Sequence, residues 1–494
     1  MTRSRRSILI VVGSLLLVGT GLLVFGNRTP RPVNPPIAHF EVPPAPRFEG
    51  LGMKRGARED LVILAFSGGG MRAAAFSYGV LETLRRIEFT RSGRTTRLLD
   101  EVDLITGVSG GSFTALAYGL YGEKLFDEYE RRFLKRNVQG QLVRRILNPL
   151  NWGATLTGAG RSELAANLYD EVLFNGATFA DLKRRSGPTI AVSATELTTG
   201  SRVVFMPQNF DVMCADLSSF RLARAAAASS AVPVVLSPVT INNYGGACAY
   251  REPSWLRQFT DVPRPPRPAG RILKRLQELR EFDSAAEDRY FHLLDGGLSD
   301  NLGLRGALDY LETFEALHAA GQPTPLDYLR RIIIVVVNSV SVPSNAWNNS
   351  ARPPGTLTIL VKAAGVPIDR YAGESVELLK DIDSRWAVLR ELRDSEAFNR
   401  TKATKMAHVM NAPSTDIYTI EVSFQALRDK SERDYLNQLP TTLVLPDEAI
   451  DRLRAAAATI ILESPDLREV LKGAATRVAG QPTRGPSAAA RSGR

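Results

Sequence analysis

Short apolar runs recur along the chain, each closed by glycine or a small polar residue. LVILAF (61–66) stops at SGGG, VDLIT (102–106) at GVSGG, and FHLL (291–294) at DGG. PTIAVSAT (188–195), RVVFM (202–206) and the β-branched run RIIIVVVNSV (331–340) have the same character. Runs of this length without alternation predict strands covered on both faces. Between them apolar positions return at helical spacing. Ala74, Val80, Leu81 and Leu84 lie near one face of a helix predicted over 71–87, and SFTALAYGLYG opens another after its glycine turn. Strand and helix in alternation predict an α/β fold, its central sheet mostly parallel and its ligands at the carboxyl ends of the strands.

The pattern changes in three places. Residues 251–290 read as an insertion: PRPPRPAG breaks the chain, then RILKRLQELREF sets Ile272, Leu276 and Leu279 at helical spacing among basic residues. A surface helix packed on the core is expected there, with a lid or a membrane-touching helix as the alternative. Residues 346–474 turn mostly helical, but IYTIEVSF (417–424) is one more strand, so this part is expected to complete the same domain. The tail 475–494, RVAGQPTRGPSAAARSGR within it, reads as disordered.

The N-terminus carries a topological signal. Residues 8–25, ILIVVGSLLLVGTGLLVF, hold no charge and are long enough to cross a hydrocarbon core. Arg3, Arg5 and Arg6 precede them and favour a cytoplasmic start, and no A-x-A site follows. The expectation is a basic cytoplasmic segment (1–7), an uncleaved transmembrane signal anchor (8–25), with a cleaved signal peptide as the alternative, and a Pro-rich, semi-rigid spacer (26–57). The main domain would then lie on the extracytoplasmic side of the cell membrane. In that setting Cys214 and Cys248 can form a disulfide; the alternative is two small buried apolar residues.

Composition narrows the function classes. The chain has 494 residues, 44% of them hydrophobic, which excludes disorder as its main state. Net charge is +10, but the arginines gather at the ends and no basic stripe is interleaved with aromatics, so no nucleic-acid partner is expected. No Cys and His cluster has metal-ligand spacing, and neither metal nor cofactor is expected.

Chemistry concentrates at the strand ends. Gly107-Val108-Ser109-Gly110-Gly111 is a G-x-S-x-G between a predicted strand and a predicted helix, the context of a nucleophile elbow. The alternative is a tight turn with a capping serine. A nucleophilic serine needs a base, and the four histidines (His39, His292, His318, His408) all lack a glycine turn beside them at a strand end. Asp295 has that setting, at the end of FHLLD and before Gly296 and Gly297, although D-G-G alone is also a common turn. Gly68, Gly69 and Gly70 follow the first strand, where backbone N–H groups without side chains suit an oxyanion, and Arg72 adds a positive charge. SGGGMR lacks the Gly-Lys-Ser/Thr of a phosphate loop.

S-G-G-G-x-R, G-x-S-G-G and D-G-G, in this order, resemble the motifs of the patatin-like phospholipase family, bacterial membrane-anchored members included. ARAAAASSAVPVVLSPV (223–239) is similar to the family's A-S-x-A-x-P stretch. The resemblance covers about 58–345. It implies a three-layer α/β/α sandwich and a lipid acyl hydrolase acting on phospholipid or another acyl ester. By it, Ser109 is the nucleophile and Asp295 the base of a Ser-Asp dyad. Gly68, Gly69, Gly70 and Arg72 form or support the oxyanion hole, with Gly107, Gly111 and Gly297 supporting the turns. Plant patatins begin the first motif with Asp where this chain has Ser67, which leaves substrate preference open. Two other readings stand beside this one: a His-dependent α/β-hydrolase on soluble esters, with His408 completing the chain order, and a non-catalytic membrane scaffold.

Overall fold

A computed structural model describes residues 33–41, 59–91, 93–151, 160–185, 187–252, 270–283, 288–319, 321–341, 351–396 and 407–479. The expected membrane anchor at 8–25 lies outside them. Among the described residues no helix is long and apolar enough to cross a membrane.

The main sheet has eight strands. Seven run in the order β10 (Asp416–Ser423), β9 (Arg331–Asn338), β1 (Asp60–Phe66), β4 (Leu104–Val108), β5 (Thr189–Glu196), β8 (Tyr290–Asp295), β7 (Val239–Asn242), and β6 (Arg202–Val204) pairs with β5. From β10 to β5 every pairing is parallel; β8 then runs antiparallel to β5, and β7 to β8. The unalternating runs are explained by what covers them. Val62, Leu64 and Phe66 of β1 face one core cluster, while Leu61, Ile63 and Ala65 face the other. In β9, Ile333, Val335 and Val337 face the first cluster and Ile332, Ile334 and Val336 the second. A strand buried on both faces has no polar side to show.

Among the helices that close the first face are α1 (Gly70–Arg86), α2 (Gly110–Tyr121) and, from far along the chain, α7 (Asp447–Glu463). The helix α5 (Arg305–Ala319) and the second half of α6 (Thr356–Asp394) close the other through Leu308, Leu311, Phe314, Leu379 and Trp386. The result is helices, sheet, helices, with β10 and α7 drawing the C-terminal part into the same domain.

The antiparallel hairpin, the strand in the tail and the docking of residues 33–41 were not read from the sequence; the disulfide and the packed helix of the insertion were among its readings. The β7–β8 hairpin turns the sheet antiparallel at one edge. The expected disordered tail begins with a strand: β11 (Ala475–Val478) pairs with β2 (Ile87–Arg91), which also pairs with β3 (Arg94–Arg97). Within the expected spacer, residues 33–41 dock on the domain. Ile37 N–H donates to Cys214 O and Phe40 N–H to Cys248 O, and the Phe40 ring lies 4.9 Å from that of Tyr250. Cys214 and Cys248 are joined by a disulfide beneath this strap, their Cα atoms 5.5 Å apart. In the insertion, the helix α4 (Gly270–Phe282) is packed on the domain: Leu276 and Phe282 are buried, and Arg275 donates to Arg202 O and Asn209 Oδ1.

Helix α1 meets α7 at a glycine. A Cβ on Gly79 would fall 2.7 Å from Arg454 Cα and 2.8 Å from its carbonyl oxygen, both backbone atoms. Gly79→Val is therefore expected to push the two helices apart and destabilise the fold by about 1–3 kcal/mol, the usual cost of overpacking. Urea denaturation of the variant checks this; an unchanged midpoint would show that the helices do not meet so closely.

Candidate active site

The site follows from strand register. Phe66 is opposite Gly107 in the β1–β4 pairing, so two residues later Gly68 stands beside Ser109. Phe66 is also opposite Val337, which carries the same row to Ser339 beyond β9. On the other side Val108 is opposite Ser193, and Ala194 is opposite Asp295. Ser339, Gly68, Ser109, Ala194 and Asp295 thus form one row along the carboxyl edge of the sheet. Asp295 joins it because β8 approaches from beyond that edge and ends there.

Ser109 occupies a sharp turn between β4 and α2. Its backbone has φ 48° and ψ −118°, a region non-glycine residues seldom visit. The strain is held by its neighbours. Ser109 N–H donates to Ser229 Oγ at 2.9 Å, and its carbonyl accepts from Ser112 N–H and Ser112 Oγ. The flanking glycines let this turn sink against the first loop. A Cβ on Gly110 would lie 2.0 Å from Gly70 O, and one on Gly111 2.6 Å from Ser67 O. Gly107 fits under the same turn, against Ser112 Cα.

The Ser109 hydroxyl donates to Asp295 Oδ2 at 2.7 Å, and the other carboxylate oxygen accepts the Gly297 N–H at 2.8 Å. Both residues are buried. The Asp295 backbone is fixed as well: its N–H donates to Ala231 O, and its carbonyl accepts from Thr195 Oγ1. Desolvation raises the Asp295 pKa from 3.8 to about 6, opposed by the hydrogen bonds from Gly297 and Ser109. An acid with a pKa of about 6 is still ionised at neutral pH and is a stronger base than an ordinary carboxylate.

The three glycines of the first loop are not equivalent. Gly68 N–H donates to Asn301 O, and Gly68 O accepts from Ser339 Oγ. Gly69 (φ 141°) and Gly70 (φ 60°) take backbone shapes that favour glycine, and their N–H groups have no hydrogen-bond partner among the described residues. Arg72 is buried and tied into the scaffold. Its Nε donates to Ser339 O, Nη1 to Leu439 O and Nη2 to Thr441 Oγ1. Its structural contribution is to fasten α1 to the ends of β9 and of the C-terminal part.

No histidine hydrogen-bonds Ser109 or Asp295 among the described residues. His292 pairs with Thr240 and His318 with Asp327, while His39 is exposed. The His408 side chain is outside the described set. Cys214 and Cys248 belong to the strap, away from this row. Among the described residues no group of His, Cys, Asp or Glu could hold a metal ion.

Sequence reasoning missed Ser229, Asn301 and Ser339. Ser229 was within reach, since the stretch SSAVP was noted but given no role. Asn301 follows D-G-G by four positions, and its carbonyl joins the Asp295 loop to the first glycine loop.

With this geometry in hand, the chain can be compared with known proteins. Residues 64–308 match the family model described as patatin-like phospholipase. The chain carries a patatin-like phospholipase domain. No curated protein matches it. Among solved structures, human GIVD cytosolic phospholipase A2 is 14% identical with a TM-score of 0.40; the match covers 86% of this chain and 65% of that one, so the chain spans under two thirds of its length. The same human enzyme in complex with methyl gamma-linolenyl fluorophosphonate gives 14% identity, a TM-score of 0.38, and coverage of 86% and 62%. A chain of the SpcU complex with ExoU from Pseudomonas aeruginosa is 16% identical, with a TM-score of 0.19 and coverage of 83% and 86%.

The raised pKa of Asp295 has a cost in stability with a defined sign. The folded state holds this proton more tightly than the unfolded chain. Stability from this group is therefore complete below about pH 4 and is lost as pH rises through about 6, reaching about 3 kcal/mol at pH 7. Asp295→Asn removes the charge and keeps an acceptor oxygen. It is expected to stabilise the protein at pH 7 by about 1–3 kcal/mol and to have little effect at pH 4. Chemical denaturation at the two pH values reads the difference; destabilisation at pH 7 would show that Asp295 is not held as a costly buried charge.

Proposed function

We propose that this patatin-like domain is a serine esterase of lipids, a phospholipase A or lysophospholipase in type. The observation that carries the reading is the 2.7 Å hydrogen bond from a strained, buried Ser109 to Asp295, with no histidine between them. Ser109 Oγ attacks the ester carbonyl as its proton passes to Asp295 Oδ2. The carbonyl oxygen becomes an oxyanion beside the N–H groups of Gly69 and Gly70. Collapse of the tetrahedral intermediate expels the alcohol, which takes the proton back from Asp295. The acyl group remains on Ser109. Asp295 then deprotonates water, which attacks the acyl-enzyme; the fatty acid leaves as the proton passes from Asp295 to Ser109 Oγ, restoring both groups.

Family membership supports acyl esters of lipids as the substrate class. The Ser-Asp pairing itself is indifferent to the acyl chain, so short soluble esters are expected to turn over as well. The extracytoplasmic placement belongs to the same proposal, and rests on the uncharged run 8–25 behind three arginines and on the disulfide.

Ser109→Ala is expected to lower hydrolysis of a chromogenic short-chain ester and of phospholipid vesicles by about a thousandfold or more without unfolding the protein. A fluorophosphonate probe should label the wild type at Ser109 and leave the variant unlabelled. Substantial turnover by the variant would remove Ser109 from the mechanism.

The pH profile gives a separate test. Asp295 must be ionised to take the serine proton, so kcat/KM is expected to rise with pH and reach half its plateau at about pH 6. A half-point near 4 would mean that the base is not desolvated.

A further inference from the structure

We propose that Ser339, assisted by Ser67, positions the oxyanion donor. This deepens the esterase reading and rests on it. Ser339 stands in the catalytic row beyond β9, on the far side of Gly68 from Ser109, and has no accessible surface. Its hydroxyl donates to Gly68 O at 2.9 Å. The peptide between Gly68 and Gly69 is planar and trans, so its C=O and N–H point in opposite directions. Drawing the Gly68 carbonyl toward Ser339 therefore turns the Gly69 N–H away from Ser339. The same residue is pinned at its other end, where Gly68 N–H donates to Asn301 O at 2.9 Å.

With both ends of Gly68 held, the peptide cannot flip without breaking a buried hydrogen bond. Glycine needs such a hold more than other residues, because no Cβ restricts its rotation. Gly69, at φ 141°, could otherwise reach many other shapes.

Ser67 sets Ser339 in turn. Ser67 Oγ accepts the Ser339 N–H at 2.9 Å, and the two hydroxyls lie 3.0 Å apart. The Ser339 carbonyl accepts from Arg72 Nε, which closes the unit. A hydroxyl at this position can both accept from the Ser339 backbone and pair with the Ser339 side chain. Ser339 touches no reacting atom in this account and is a positioning residue.

The test compares wild type, Ser339→Ala, Ser67→Ala and the double variant on a soluble short-chain ester, with a trifluoromethyl ketone as oxyanion probe. Ser109 Oγ adds to the ketone carbon, its proton passes to Asp295, and the carbonyl oxygen takes up the electron pair as an oxyanion. Ser339→Ala is expected to lower kcat by about 10–100-fold, less than the loss of a donor itself. KM should stay within about twofold, since the ground-state ester asks little of the donor. Affinity for the ketone should fall by the same factor as kcat. The double variant should lose no more than the worse single one, because both act through one carbonyl. Thermal unfolding within about 3 °C of wild type would show that the fold is intact.

An unchanged kcat in Ser339→Ala, or a lower kcat with undiminished ketone affinity, overturns the proposal and leaves the esterase reading standing. A wild type that neither turns over the ester nor is labelled at Ser109 overturns that reading, and the role of Ser339 with it.

Discussion

Register across the sheet is the constraint on which everything else depends. Five strands or the turns that follow them contribute one residue each to a single row at the carboxyl edge, and four of those five residues belong to the proposed site. A slip of one residue between β1 and β4 would place Ser67 or Gly69 beside Ser109 in place of Gly68. What holds the register is the double burial of β1 and β9: each residue is committed to one of two cores, so a slip exchanges every side chain between faces. The apolar pattern that makes the strands also aligns the site. The row then needs a partner for serine, and β8 supplies one because it runs the other way and stops at the edge.

Burial does two things at this row that pull against each other. It removes water from Asp295 and so makes the carboxylate a better base, and it makes that carboxylate costly to hold. The fold limits the cost with two short hydrogen bonds, from Gly297 N–H and from Ser109 itself. Without them the pKa would rise further and less of the group would be ionised at neutral pH. A dyad of this kind works only in that interval: enough desolvation to lift the acid from its ordinary range, enough hydrogen bonding to keep it ionised. Histidine starts near the required pKa and needs no such balance. Its absence from the row explains why so much backbone is spent on fixing one aspartate.

Much of this was legible in the sequence. The strand-glycine-helix succession announced both loops, and three motifs in order marked Ser109, Asp295 and the glycines. Their meaning depended on spatial neighbours, and these were less legible. The β8 run shows nothing of its direction, since FHLL reads the same in a parallel or an antiparallel strand. Ser339 looks like the polar end of an apolar strand; only pairing with β1 places it opposite Gly68. Arg72 suggests a charge beside the reaction, yet its guanidinium is occupied by carbonyl and hydroxyl oxygens from Ser339, Leu439 and Thr441, all more than 250 residues away. The strap at 33–41 was obscured by proline, which predicts an extended backbone correctly and says nothing of whether that backbone docks.

The proposed catalytic unit therefore extends past the stretch that carries the motifs. The Gly68 carbonyl is held by Ser339, after β9. Met71 N–H donates to Thr442 O, and the backbone of Thr442 fills the space where Gly70 would have a Cβ. Gly79 packs against α7, so the helix behind the glycine loop is seated on the C-terminal part. A fragment ending at the D-G-G loop would contain the proposed nucleophile, acid and glycines, and would still lack the groups that hold the Gly68 carbonyl and seat Gly70. Preorganisation, more than the presence of the dyad, is what distinguishes catalysis from binding at such a site. On the proposed reading, the C-terminal part belongs to the active site in the physical sense, through the Thr442 backbone that seats the glycine loop.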